Sequence, residues 1–147
     1  EELKTLNCEG MVRELPRKPL VKLLPLLKGA DILMLIIGQD MDYSISYKFY
    51  DYLSVRRPIL AIVPPESQME DVMFQLDCGE TGYLGDPDSI RRALSVLIKG
   101  EKKYSFSGSD EYKWEVLGRR YRELISSVMT EGKMFPQKEV MAWGSKE

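Results

Sequence analysis

The sequence predicts an α/β domain, a small parallel sheet of about four strands alternating with helices. Residues 32 to 37 and 59 to 63 are short unbroken apolar runs, the pattern of strands covered on both faces of a parallel sheet. The stretch between them has helical spacing, so residues 31 to 63 read as one β-α-β crossover, a unit that is almost always right-handed. With 147 residues, 44% of them hydrophobic and 30% charged, the chain can bury the core of a single domain, and disorder is excluded.

Each element follows from its residues. Leu20, Leu23, Leu24 and Leu27 stand at helical spacing, with Pro25 as a kink or a restart of the turn and Gly29 as the stop. After the first apolar run, Gly38 and a polar loop over residues 39 to 43 lead to a second helix, capped by Ser44 or Ser46. Its Ile45, Phe49, Tyr52 and Leu53 share a face, and Pro58 prevents its continuation. Ser67 can cap a third helix with Met69, Val72, Met73 and Leu76 on one stripe. Residues 77 to 85 read as a Gly-rich turn with a short strand; residues 79 to 85 lack the Gly-Lys-Ser/Thr ending of a phosphate loop. Asp88 is placed to cap a helix presenting Ile90, Ala93, Leu94, Leu97 and Ile98, which ends at Lys99 and Gly100. A polar stretch, 101 to 110, precedes a long amphipathic helix carrying Leu117, Tyr121, Leu124, Ile125 and Val128 and closed by Gly132. Residues 1 to 132 thus form the domain, and residues 133 to 147, without a clear period, a C-terminal tail.

Composition removes whole classes of chemistry. There is no histidine, so Ser-His-Asp and Cys-His nucleophilic sites and His-ligated zinc are excluded, and acid-base work falls to carboxylates, Lys or Tyr. Cys8 and Cys78 have no Cys-x-x-Cys spacing and read as reduced, buried thiols of a cytoplasmic protein, with no metal site. With 21 basic and 23 acidic residues no global positive field exists to hold nucleic acid. The longest apolar run is too short to cross a bilayer and no signal peptide opens the chain. A strand-like piece begins close behind Glu1, and doubly wound domains usually carry six strands. Two strand-helix units are therefore expected ahead of residue 1.

In open parallel sheets ligands bind beyond the carboxyl ends of strands, often at a helix N-terminus that attracts anions. The rule points to residues 38 to 51. Gly38 permits close backbone approach, Ser44, Ile45 and Ser46 offer amides and hydroxyls, and Lys48 adds a positive charge. Asp51, three positions after Lys48 and seven after Ser44, lies near the same helical face. A phosphate at the helix N-terminus and ribose hydroxyls at Asp51 would use that face; the plainer reading is an exposed Lys48–Asp51 ion pair. Tyr43, Tyr47, Tyr50 and Tyr52 read as helix packing and hydrogen-bonded surface tyrosines, Arg119, Arg120 and Arg122 as a solvated face, and Met69 and Met73 as core.

Residues 43 to 62, YSISYKFYDYLSVRRPILAI, resemble the donor-site helix and following strand of GT-B glycosyltransferases. Upstream, residues 9 to 12 (EGMV) and 26 to 33 (LLKGADIL) are similar to the family's strand exit and helix-to-strand passage. Downstream, Cys78-Gly79, Asp86-Pro87-Asp88 and the Ile90 helix are similar to its closing α/β unit. The likeness covers roughly residues 5 to 129 and is closest to the retaining group-1 (family 4) enzymes. It implies a Rossmann-like C-terminal domain, truncated at its N-terminal side, that binds a UDP- or GDP-linked sugar without a further cofactor. Asp51, seven before the proline, is implied to hold the donor ribose. Tyr43, with Asp42 beside it, stands where many relatives place a glutamate for the transferred sugar, and Arg56 where they carry glycine. The family's basic pair for the diphosphate lies on segments this chain lacks, as does the acceptor-binding domain, so the resemblance implies an isolated chain that is inactive. It also implies a role in polysaccharide or glycolipid assembly, with an acceptor-binding domain in the same or another chain as partner. Contact with the inner membrane face and homo-oligomerisation stay open. The competing reading is a non-catalytic interaction domain or partner subunit with a Rossmann-like shell; a GT-B-fold epimerase is disfavoured by the missing histidines.

Overall fold

The computed structural model describes residue 5 and residues 8–131 except residue 42. The early strand expected behind Glu1 falls largely outside these residues. Within them, Glu9–Met11 form a 3-10 turn rather than a strand exit. Three strands and five helices follow: α1 (Leu20–Gly29), β1 (Leu33–Ile36), α2 (Tyr47–Val55), β2 (Ile59–Val63), α3 (Gln68–Leu76), β3 (Gly79–Tyr83), α4 (Pro87–Lys99) and α5 (Trp114–Glu131). Among the described residues the sheet therefore has three strands, not about four. Its order is β1-β2-β3 and both pairings are parallel, with Leu33 opposite Ile59 and Ile59 opposite Gly79.

The alternation of strand side chains divides the packing between two faces. On one, Leu33, Leu35, Ile59, Ala61 and Val63 meet Phe49 and Leu53 of α2 and Met69 and Met73 of α3, the main core. On the other, Leu60 meets Ala93 and Leu97 of α4. That second layer stops at β2. Met34 and Ile36 are 56% and 58% exposed, so among the described residues β1 is not covered on both faces as its unbroken apolar run suggested.

Local rules account for the boundaries. Pro25 lies inside α1, and Leu24 and Leu27 rest against the core. α2 stops at Val55, where Arg56 adopts a left-handed conformation (φ 51°, ψ 46°) two residues before Pro58, which bars its continuation. Ser67 caps α3, its hydroxyl accepting from Glu70 N–H at 3.4 Å. The short strand expected within residues 77 to 85 takes up residues 79 to 83, and two glycines make that possible. A Cβ at Gly79 would lie 1.8 Å from the Ile59 carbonyl oxygen, and one at Gly82 2.8 Å from Ile90 Cα on α4. The cap of α4 is Asp86, whose carboxylate accepts from the Asp88 and Ser89 amides with Pro87 at the first helical position, so Asp88 is not the cap. Gly100 ends α4 as expected, but Ile98 faces solvent rather than the core. On α5, Tyr121, Leu124, Ile125 and Met129 are exposed, so its apolar stripe has little to pack on among the described residues. Gly132 and the tail lie outside them.

Candidate functional site

The chain leaves β1 through Ile37, whose N–H donates to the Ile62 carbonyl at 2.9 Å, and reaches exposed Gly38 at the carboxyl end of the strand. A 3-10 turn over Gln39–Met41 then folds back, and the Ser44 N–H donates to the Met41 carbonyl at 3.1 Å. Ser46 is the N-cap of α2, and its hydroxyl makes no capping bond. Among the described residues no side chain caps the first-turn amides of α2, which leaves donors at its positive end. Ser44, Ile45 and Ser46 are half-buried, while Tyr43, Tyr47 and Lys48 are exposed. Asp42 lies outside the described residues.

Asp51 sits one turn further along α2, half-buried. It lines a cleft of about 610 Å³ that α2 forms with Leu20 and Leu24 of α1 and with residues 109 to 115. That volume lies within the range of small-molecule sites. Among the described residues neither Asp51 nor Lys48 makes an ion pair, so the plain Lys48–Asp51 pairing is not formed. The expected site therefore has two parts. Ser44 to Ser46 and Lys48 stand at the N-terminal end of α2, after Gly38 at the end of β1, whereas Asp51 opens on the cleft, which none of them lines.

The cleft brings in Asp110, Tyr112 and Lys113, which the sequence did not single out, beside Arg56 and Tyr50, which it read in other roles. Arg56 reaches Asp110 at 2.9 Å, and Lys113 reaches the same Asp110 oxygen at 2.9 Å. Lys113 first, and Arg56 after it, hold the Asp110 carboxyl below its ordinary range. The Tyr50 and Tyr112 rings stand 5.6 Å apart, and burial, then Tyr112 and Tyr47, push the Tyr50 phenol up. Nothing local could have announced this wall, because Arg56 and Asp110 are 54 positions apart. Of the other tyrosines, Tyr52 donates to the Met34 carbonyl at 3.2 Å, a hydrogen-bonded surface role, and burial followed by Asp51 raises its phenol.

Cys78 is buried and its thiol is pushed up to about 12, chiefly by burial; Cys8 is half-buried rather than buried. Among the described residues no group of three or more Cys, Asp and Glu side chains could hold a metal ion, and no helix is long and apolar enough to cross a membrane. Compared with protein families, curated proteins and solved structures, the chain gives no match in any of the three.

Proposed function

We propose that the chain is the donor-binding part of a glycosyltransferase, holding a nucleotide-diphosphate sugar at the carboxyl end of its parallel sheet. The observation that carries this reading is Asp51. It is a half-buried carboxylate with no ion-pair partner among the described residues, on the helix whose N-terminus follows β1, and it opens on a cleft of nucleotide size. A carboxylate so placed can accept from both hydroxyls of a ribose, while amides of residues 45 to 48 and the Lys48 ammonium are placed to meet a phosphate. The Rossmann-like domain, the sugar contact of Asp42 and Tyr43, and the acceptor domain supplied in the same or another chain belong to the same proposal. Leaving-group stabilisation would come from basic residues outside this chain, so the chain binds donor without turning it over.

Calorimetric titration with UDP, GDP and ADP tests the reading. Saturable binding of one nucleotide is expected, and Asp51→Ala should weaken it by about 10- to 150-fold, the loss of a charge-assisted hydrogen bond of about 1.5–3 kcal/mol. Affinity unchanged in the mutant, or no binding of any of the three, overturns it. A second reading, a non-catalytic interaction domain, is favoured by the open apolar face of Met34 and Ile36. Sedimentation velocity of the chain discriminates: self-association supports that second reading, and a compact monomer counts against it.

A further inference from the structure

The second edge of the sheet differs from the first. β3 has β2 on one side only, and on its other side no strand pairs with it among the described residues. The ladder fixes which groups are left over. The Cys78 carbonyl accepts from Ile59 N–H, and the Leu84 N–H donates to the Val63 carbonyl, so the even-numbered residues of this segment face β2. Gly79, Thr81 and Tyr83 consequently turn their backbone groups outward. Tyr83 is already engaged: its N–H donates to the Ser89 hydroxyl at 2.7 Å and its carbonyl accepts from Asp86 N–H at 3.0 Å. Among the described residues the N–H and C=O of Gly79 and Thr81 have no partner, an alternating set that an added strand would satisfy.

A groove of about 590 Å³ runs along this edge, lined by Gly79 and Thr81 together with side chains of α3 and Lys102. Four carboxylates line it, Glu70, Asp71, Asp77 and Glu80, against the single ammonium of Lys102. That ammonium is itself held by Glu80 at 2.8 Å and Asp77 at 3.8 Å. The Tyr83 and Tyr104 hydroxyls donate to Glu70 and Glu80 and fix two of the carboxylates in place. Phe74, 87% exposed, adds an apolar wall on which long aliphatic stems can lie.

We propose that the outer edge of β3 receives an extended, lysine- or arginine-rich polypeptide segment as an added strand, read through the backbone of Gly79 and Thr81 and the carboxylates around them. The charge decides the occupant. A second copy presenting the same edge would set four carboxylates and one ammonium against the same net-negative set, a like-charge juxtaposition that opposes pairing, whereas a basic segment is drawn in and registered by the excess carboxylates. Sequestered backbone groups supply affinity without side-chain specificity, and the acidic wall supplies the selection.

The test uses the whole chain and a fluorescent five-residue peptide, Lys-Val-Lys-Val-Lys. Two controls accompany it, the same peptide with every backbone amide N-methylated and the acidic counterpart Glu-Val-Glu-Val-Glu. Anisotropy should show saturable binding of the first peptide, at least tenfold tighter than either control and weakening with added salt. Amide hydrogen exchange should slow at Gly79 and Thr81 on binding, while Glu80, already in the ladder, changes little. Asp71→Lys, a substitution at an exposed position, should weaken binding several-fold without altering the circular dichroism spectrum. The proposal is overturned by equal binding of the N-methylated peptide, by no binding, or by Gly79 and Thr81 amides already protected in the free chain.

Discussion

Arg56 and Asp77 end helices in the same left-handed conformation, with φ 51° and 44°, yet removing their side chains should have different consequences. A non-glycine residue there costs about 1–2 kcal/mol relative to glycine. Arg56 recovers little of it, because its bond to Asp110 joins two exposed side chains, a pair worth about 0–1 kcal/mol. The Asp77 carboxylate instead accepts the Ser105 N–H at 3.0 Å and so ties the segment after α4 to the end of α3. Arg56→Gly should therefore stabilise the fold by about 0.5–1 kcal/mol, and Asp77→Gly should give no gain. Urea midpoints at constant slope measure both, and a lower midpoint for Arg56→Gly refutes the strain argument. That α2 ends near Arg56 was legible in the sequence, because Pro58 prevents its continuation. Asp77 was not, since its partner lies 28 positions on.

At the scale of elements, apolar spacing was enough to find the helices, but it was silent about what covers them. The all-apolar run of β1 reads the same whether one face or both are packed, and only the tertiary arrangement leaves Met34 and Ile36 open. The stripe on α5 likewise predicts a helix and names no partner. The candidate site divides in the same way: residues 38 to 51 follow from strand-end rules, whereas the far wall of the Asp51 cleft comes from residues 109 to 115. The cap of α4 is a different case, because its signal was present. Proline at the first helical position marks the residue before it as the cap, and that residue is Asp86. Asp86→Ala should cost about 1–2 kcal/mol, since two amides lose their acceptor. Asp88→Ala should cost about 0.5 kcal/mol or less, removing only a first-turn charge and an exposed pair with Arg91. Equal losses in thermal unfolding would return the cap to Asp88.

For the molecule as a whole, the resolved shifts are lopsided. The Asp110 carboxyl, lowered first by Lys113, is fully exposed and salt-screened, and it adds little on the acid side. On the alkaline side, Cys78 and four tyrosines all titrate higher folded than unfolded. Burial leads for Cys78, Tyr50, Tyr52 and Tyr104, and the hydrogen bond to Glu70 leads for Tyr83. A group raised in the folded state is fully stabilising below its unfolded pKa, and that stability is lost as pH climbs through the folded value. Stability should therefore fall from about pH 9, where an unfolded thiol ionises, and more steeply above about pH 10, where unfolded phenols join it. For Cys78 the window runs from 9.0 to about 12. One proton of difference gives a slope of at most about 1.4 kcal/mol per pH unit. Cys78→Ala separates the contributions: it lowers stability at every pH by leaving a small void, but it should flatten the decline between pH 9 and 10 while keeping the steeper limb above. Urea unfolding from pH 7 to 11 in both proteins reads the two slopes. An unaltered slope between pH 9 and 10 in Cys78→Ala would mean that the thiol ionises as readily in the folded chain as outside it, against its complete burial beneath α3.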